Sequence, residues 1–387
     1  MNILFIHETD WVNKVVFEMH NLAESLSAMG HTVYAIDYPN KWTKDTKCGE
    51  FKDVSRTTHG GHVTLIRPEF IKKPVISRVS AFATHYLAIK KTIKEKKIDV
   101  IVLYSVATNG LQTIELAREY KIPIVFRSID VLNQLVPNKS LRMPTKMLES
   151  TVYKNVDMIL TISPKLTEYV TNLGADDRKV HLLPLLVDTD LFCPSDREED
   201  DGRTILFVGS LHDFSGLHET IMFFPMVLHK FPDARLMIVG DGNYKPMLEA
   251  YAKRMGIEEA VIFTGMKPYK TIPDYIRMSS ICICPFYIND LTNDIFPSKI
   301  VQYMACAKPV ICTPLDGVRA LVSDGNGIVF RHLNNFVPVI QGLLTDRSLR
   351  NRIGSAGLGY VMQNNSHKII AKRLEEYLME AISDKRK

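Results

Sequence analysis

The chain has 387 residues, which is more than one compact hydrophobic core usually serves, so we expect two domains. Hydrophobic residues make up 46% and charged residues 24%, a composition that excludes disordered, collagen-like and coiled-coil proteins. The net charge is only +5, no uncharged apolar run approaches the roughly 18–20 residues of a membrane-spanning helix, and residues 1–8 lack the basic start of a signal peptide.

Six cysteines are spread along the chain without the paired spacing of a zinc site. Cys282 and Cys284 are close, and on a strand their spacing puts both on one face, which is ordinary for core residues. A disulfide framework is unusual at this length. The sequence therefore predicts free thiols, no bound metal and a reducing, cytoplasmic location.

The first half alternates between short apolar runs and helical patterns. Residues 2–7 predict a strand, residues 15–29 an amphipathic helix that Gly30 ends, and residues 31–37 a second strand. Further elements are strands at 63–66, 100–104, 124–127 and 158–162, and a basic amphipathic helix at 77–96. This alternation indicates an α/β fold with an open, doubly wound parallel sheet.

The pattern breaks at residues 194–203, which are nearly all polar or charged and are typical of a linker. A second series follows, with strands at 204–208, 234–239, 261–264, 280–284, 309–313 and 327–330. Its helices are predicted at 218–230, 244–255, 272–277, 297–305, 334–343, 348–360 and 367–382. We expect a first domain at residues 1–195, a second at 196–365 and a C-terminal helix at 366–387.

Chemistry is expected where the parallel strands end, because ligands of open α/β sheets bind beyond the carboxyl ends of the strands. In the first half, these positions hold His7, Glu8, Asp10, Arg127 and Asp130. In the second half, they hold Gly209, Ser210, Gly240, Gly265 and Met266. The Gly-Asp-Gly run at 240–242 alone is a weak signal, which a tight strand-to-helix turn explains better than a binding loop.

Pro297, Ser298 and Lys299 begin a predicted helix. Proline suits the first turn, whose unpaired backbone N–H groups can hold a phosphate. Lys299 opposes the helix dipole there, and a bound diphosphate would offset that cost. The position therefore favours a phosphate-binding lysine, with a solvated surface lysine as the alternative.

These motifs resemble the family-4-like (group 1) glycosyltransferases of the GT-B fold. In the second half, residues 240–242, 261–265 and 297–311 are similar to the family's nucleotide-binding loops and donor helix. In the first half, residues 22–33, together with 156–163 and 186–192, resemble its first helix and its domain junction. The resemblance covers almost the whole chain. It implies two Rossmann-like domains facing across a cleft, with the last helix crossing back onto the first domain.

The sequence also departs from the usual family pattern. The family usually has two glutamates seven residues apart in the donor segment, where this chain has Asp294 and Gln302. The usual Arg and Lys after the strand at 204–208 are here Ser210 and Ser215. A small subset of GT-B enzymes is more similar, with Lys-x-x-Gln-Tyr on the donor helix and an aspartate in the first domain. Lys299, Gln302 and Tyr303 fit that donor helix.

The resemblance implies a glycosyltransferase that moves a sugar from a nucleotide diphosphate, UDP rather than GDP, to a hydroxyl of a glycan or lipid-linked saccharide. Asp130 is expected as general base, with a helix N-cap as the alternative, and Asp294 is expected at the sugar hydroxyls. Lys299 and Arg127 would stabilise the leaving diphosphate without a metal or cofactor. The acceptor side is assigned to His7, Glu8, Asp10 and Arg127. A non-catalytic GT-B protein that binds a glycan or partner enzyme, and a nucleotide-sugar epimerase, remain alternatives.

The basic charge is concentrated in residues 51–100, which carry eleven Lys and Arg against four Asp and Glu. Residues 72–97 hold most of it, on the basic helix. A solvated helix face would explain this charge, and so would peripheral docking on the anionic inner face of a membrane. Nucleic acid is not expected, because no basic motif is interleaved with aromatic residues.

Overall fold

The computed structural model describes residues 1–39, 42–43, 45–73, 76–136, 138–195 and 200–387. The chain divides into two compact units. Unit 1 contains Met1–Leu185 and His367–Lys387, and unit 2 contains Leu186–Ser366. The units therefore divide at Leu185, ahead of the boundary expected at 195, and residues 196–199 of the expected linker lie outside the described part of the chain.

Unit 1 is built on a sheet whose central strands are continuous apolar runs. Its strands are β1 (Asn2–Ile6), β2 (Thr32–Ile36), β3 (Gly49–Val54), β4 (Val63–Arg67), β5 (Val100–Leu103), β6 (Ile124–Ser128), β7 (Met158–Thr161) and β8 (Val180–Leu182). In the described residues they form the order β3-β4-β2-β1-β5-β6-β7-β8, parallel except between β3 and β4. Helices cover both faces of a parallel sheet, which explains why β1 and β5 read as unbroken hydrophobic segments.

The helices of unit 1 follow the strands in alternation. They are α1 (Glu18–Ala28), α2 (Ile76–Lys96), α3 (Gly110–Tyr120), α4 (Leu132–Leu135), α5 (Arg142–Asn155) and α6 (Pro164–Asn172). Ile89 and Ile93 of α2, Ile114 of α3 and Val152 of α5 belong to one core cluster with the strands. Helices α2, α3 and α5 therefore share one face of the sheet.

Unit 2 repeats the same construction with a smaller sheet. Its strands are β9 (Thr204–Val208), β10 (Arg235–Val239), β11 (Val261–Gly265), β12 (Ile281–Cys284), β13 (Val310–Cys312) and β14 (Ile328–Phe330). All pairings are parallel, in the order β11-β10-β9-β12-β13-β14. Its helices are α7 (Leu217–Lys230), α8 (Lys245–Arg254), α9 (Ile272–Met278), α10 (Ser298–Ala305), α11 (Asp316–Arg319), α12 (Phe336–Thr345) and α13 (Arg347–Asn364). Both units are Rossmann-like, which confirms the predicted fold class.

The last helix, α14 (His367–Arg386), belongs to unit 1 although it follows unit 2 in the chain. Its buried face includes Ile370, Leu374 and Leu378. Glu375 Oε1 lies 2.8 Å from Nε2 of His31, three residues beyond the end of α1, and α14 packs against α1.

Two further expectations concern the whole chain. All six cysteines are free thiols, as predicted. Among the described helices, none is long and apolar enough to cross a bilayer.

Candidate active site

Three glycines mark the carboxyl edge of the unit 2 sheet. Gly209 N–H donates to Val239 O at 2.9 Å, and Gly240 N–H donates to Gly265 O at 3.0 Å, so the ends of β9, β10 and β11 are joined side by side. A Cβ at Gly240 would lie 2.0 Å from the Gly209 carbonyl oxygen, and Gly240 has a φ of +147°. Only glycine permits this close approach. The result is a bare backbone surface at the strand ends.

Lys299 reaches this surface from the first turn of α10. Its ammonium lies 3.7 Å from the centre of the Phe207 ring and 4.7 Å from that of Phe286. A Cβ at Gly209 would lie only 2.6 Å from Lys299 Nζ, which places the ammonium directly against the end of β9. The side chain therefore crosses from α10 to the loop where the family's usual Arg and Lys are missing.

The ammonium of Lys299 is held without a carboxylate. Among the described residues it has neither a hydrogen bond nor an ion pair, and its contacts are the two rings. Burial lowers the pKa of Lys299 to about 8, while the nearby thiols of Cys284 and Cys312 act in the opposite direction. A partly buried cation without a carboxylate partner, at the start of a helix, is a suitable partner for a phosphate.

Tyr303 and Gln302 lie one turn further along α10. Tyr303 is fully buried, and its hydroxyl accepts the Val208 N–H at 2.7 Å. It has no exposed surface with which to touch a ligand, so we correct its expected donor-binding role to one of fixing α10 on β9. Gln302, in the middle of α10, is half-buried, and Ser298, at its start, is exposed, so both side chains remain available to a ligand.

The segment before α10 is anchored to α11. Asn293 Nδ2 donates to Asp316 Oδ2 at 2.9 Å, and Gly317 N–H donates to Asn293 O at 2.8 Å. Asp294 follows on this anchored loop with an exposed side chain. Ser210 and Met266, at the ends of β9 and β11, are also exposed.

Asp130 lies just beyond β6 in unit 1. The N-cap position of α4 is Val131, and the N–H groups of Leu132 and Asn133 are taken by Glu149 at 3.1 and 3.3 Å. Glu149 therefore caps α4, and Asp130 does not have the helix N-cap role that was its alternative. Within the described residues, the Asp130 carboxylate accepts no hydrogen bond. Burial raises the pKa of Asp130, and Lys14 opposes this rise.

Glu8 and His7 have local structural roles. Glu8 Oε1 accepts the Thr108 N–H at 2.5 Å and also bonds Ser105, so it caps the start of α3. His7 Nδ1 lies 2.8 Å from Thr9 Oγ1, and burial lowers the pKa of His7 to about 3. With its carboxylate bonded to Ser105 and Thr108, Glu8 does not form the acceptor contact expected for it, whereas the acceptor role of His7 stays a prediction.

Arg127 and Asp10 are held in buried networks. Arg127 is 1% exposed and donates to Glu18 and, at 2.6 Å, to Leu183 O. Asp10 lies 2.8 Å from Arg67, which also pairs with Asp37. Because the Arg127 guanidinium is bonded inside unit 1, Arg127 cannot bind the leaving group or the acceptor. Asp10 is paired with Arg67 and therefore does not make the acceptor contact expected for it.

The charge of residues 72–97 is partly balanced by acidic neighbours. Lys90 lies 3.1 Å from Glu119 and Lys96 lies 3.0 Å from Glu50. Lys91 lies 3.9 Å from Glu95 on the same helix. Residues 74 and 75 of this surface lie outside the described residues. The basic excess is therefore smaller than the sequence alone indicates.

Sequence reasoning missed the aromatic residues beside Lys299 and the capping role of Glu149. Phe207 is the fourth residue of a buried strand, and an apolar residue there is equally expected for packing. The sequence offered one indication of this role: Phe207 lies two residues before Gly209, at the end of the strand against which the helix beginning Pro-Ser-Lys was expected to pack.

Comparison with known proteins agrees with this architecture. Residues 18–191 match the Glycosyltransferase Family 4 model, and residues 191–360 match that of Glycosyl transferases group 1. Sucrose-phosphate synthase from Thermosynechococcus elongatus aligns over 99% of this chain and 100% of its own, with a TM-score of 0.79 and 18% identity. HepE of Anabaena, solved in complex with UDP, aligns over 98% and 100%, with a TM-score of 0.74 and 15% identity.

Among sequence relatives, a GDP-mannose-dependent α-(1-6)-phosphatidylinositol monomannoside mannosyltransferase of Mycolicibacterium smegmatis is 27% identical over 215 residues. The match covers 51% of this chain and 55% of that protein, so the chain spans little more than half its length. The fold and the two family models define a GT-B protein of the glycosyltransferase class. More particularly, the chain has a family 4 domain followed by a group 1 domain, as the resemblance implied.

Proposed function

We propose that the protein transfers a sugar from a nucleoside-diphosphate sugar, with UDP as the favoured nucleotide, to a hydroxyl of a glycan or lipid-linked saccharide. The observation that carries this proposal is the Lys299 ammonium, which lies against Gly209 without a carboxylate partner among the described residues. A structural lysine would normally pair with an acid or extend into solvent. This one is desolvated at the place where ligands of such sheets bind.

In the proposed reaction, the bond between the anomeric carbon and the diphosphate oxygen breaks, and the nucleoside diphosphate leaves with the electron pair. The anomeric carbon forms a new bond to the acceptor oxygen. Charge grows on the leaving diphosphate, so a cation and N–H donors placed there lower the barrier. Lys299 supplies the cation, and the first turn of α10 and the backbone near Gly209 and Gly265 supply the N–H groups.

The proton of the acceptor hydroxyl passes to the carboxylate of Asp130 in this proposal. Asp130 is supported by two features: its oxygens accept no hydrogen bond within the described residues, and its raised pKa makes it a stronger base than an exposed aspartate. Asp294, exposed on the loop before α10, is proposed to bind hydroxyls of the donor sugar.

UDP is favoured over GDP because HepE, of similar fold, was solved with UDP. The mannosyltransferase relative is GDP-dependent by name, so both nucleotides belong in the same test. The name of that relative includes a phosphatidylinositol lipid, which supports a lipid-linked saccharide as acceptor. With such an acceptor we propose a peripheral position on the inner face of a membrane. We further propose that no metal takes part, since none of the loops that follow strands β9–β14 contains an Asp-x-Asp motif.

A non-catalytic GT-B protein is the competing proposal, favoured by Ser210 and Ser215 at the places of the usual cations. Thermal unfolding with UDP, GDP and UDP-sugars separates the two, because a ligand stabilises the fold by RT ln(1 + [L]/Kd). A rise in Tm with one nucleotide, followed by release of that nucleotide from its sugar in the presence of lipid-linked saccharides and EDTA, supports transfer. No shift with any nucleotide favours the non-catalytic protein. Release that EDTA abolishes contradicts the metal-free proposal.

A further inference from the structure

A short segment at the start of α5 exposes apolar and basic side chains together. Leu141, Met143 and Met147 are 52%, 66% and 66% exposed. Lys139, Arg142 and Lys146 alternate with them. We call residues 139–147 the α5 segment. Singly exposed apolar residues are common on protein surfaces, but three within seven positions form a patch that requires an explanation.

The three basic residues of the α5 segment have no acidic partner among the described residues. Arg142 donates only to the Val136 carbonyl at 3.5 Å, and the first turn of α5 contains no acidic residue. Cations in the first turns oppose the helix dipole, so Arg142 and Lys146 are not placed there for helix stability. Both the charge and its position are suited to an external anion.

The α5 segment lies at the same edge of the sheet as Asp130. α5 returns along the sheet from the carboxyl end of β6 to the start of β7, so its first turn lies at the carboxyl edge. α2 and α3 also begin at that edge, on the same face, and their early turns expose Val79 at 70%, Phe82 at 53% and Leu111 at 46%. The exposed apolar residues of three helices are thus gathered at one end of unit 1.

We propose that the α5 segment docks unit 1 on an anionic lipid bilayer. Its methionine and leucine side chains enter the acyl boundary, while Lys139, Arg142 and Lys146 bind lipid phosphates. A bilayer fits better than a protein partner because flexible methionines alternate with unpaired cations, and each basic residue adds to attraction by an anionic leaflet. This proposal deepens the proposed function, since it specifies a membrane-borne acceptor, and it moves the contact away from the partly neutralised lysines of α2.

Co-sedimentation of the full chain with phosphatidylcholine–phosphatidylglycerol vesicles tests the proposal. We expect the triple variant K139Q/R142Q/K146Q to bind roughly 100-fold more weakly than the wild type, and M143S/M147S to lose binding as well. The matched control K90Q/K91Q/K94Q removes the same charge from α2 and is expected to lose much less. Binding to pure phosphatidylcholine vesicles is expected to be weak for all proteins.

Three results would overturn the proposal: no vesicle binding by the wild type, a larger loss in the α2 control than in the α5 triple variant, or a change of native mass in M143S/M147S, which would identify a second copy as the occupant. The thermal shift with UDP is measured on the same variants. Because all the altered side chains are on the surface and none touches the nucleotide site, that shift stays unchanged if the fold is intact. A failure of lipid docking is therefore distinguishable from a failure of the proposed transfer.

Discussion

The ammonium of Lys299 lies 3.7 Å from the centre of the Phe207 ring, so a helix residue and a strand residue of unit 2 together hold a cation at the strand ends. The ring attracts the charge without neutralising it. A carboxylate in its place would compete with any incoming anion. The aromatic support therefore keeps the lysine in position and leaves its charge for a ligand.

Replacing Lys299 with alanine removes this charge. We expect UDP binding to weaken by roughly 1.5–3 kcal/mol, the range for a hydrogen bond to a charged group. Isothermal titration calorimetry measures the change. Lys308→Ala, which removes a lysine just beyond the other end of α10, is the control and should bind UDP normally. Equal affinities of the wild type and Lys299→Ala would contradict the phosphate role.

The pKa of about 8 at Lys299 predicts a pH dependence of binding. Below pH 8 the free protein carries the ammonium, and above pH 8 it loses the proton that diphosphate binding requires. The Kd for UDP should therefore rise as pH increases beyond 8, by up to about tenfold per pH unit. Lys299→Arg keeps its charge over this range and should give a flatter profile. Identical slopes in both proteins would show that another group titrates.

The Asp130→Asn substitution separates the acceptor chemistry from nucleotide binding. We expect UDP affinity to stay nearly unchanged and turnover to fall by roughly 10²–10⁴-fold, the usual contribution of a general base. Steady-state assays of UDP release measure turnover, and Asp177→Asn, at an exposed position of the same unit, is the control. Near-wild-type turnover in Asp130→Asn would favour a retaining reaction in which the donor phosphate accepts the proton.

Arg127→Met tests the structural role that replaces the expected catalytic one. The substitution leaves Glu18 buried without its partner, so we expect a loss of about 3–5 kcal/mol in the free energy of unfolding. Urea denaturation followed by circular dichroism gives this value. Arg178→Met, which breaks an exposed pair with Asp176, should have little effect. If Arg127→Met has the same free energy of unfolding as the wild type while its turnover falls, the result would support the catalytic role first expected for Arg127.

Much of the fold could be predicted because buried parallel strands are continuous apolar runs. Val100–Leu103 and Thr204–Val208 are of this kind, and the sequence places both. β3 could not be found in the same way. Its residues, Gly49–Val54, form an antiparallel edge strand with mostly exposed side chains, so no hydrophobic pattern marks it.

The site divides along similar lines. Lys299 is recognisable because local rules apply to it: a proline, a helix start and a lysine that opposes the dipole. Arg127 is not, because its partner Glu18 lies 109 positions earlier and only the folded sheet brings them together. Asp130 is left without a capping role because Glu149 caps α4 instead, and no local sequence pattern predicts that contact.

The place of α14 in unit 1 has a consequence for how the chain is made. The ribosome releases α1 and the first sheet before unit 2 exists, yet the contact between His31 and Glu375 joins positions 344 residues apart. Unit 2 is formed by one continuous segment of the chain. Unit 1 needs α14, so the face of α1 that packs against α14 stays uncovered until the end of the chain has been made. Because this contact spans so much of the chain, we expect the final folding step of unit 1 to follow the folding of unit 2.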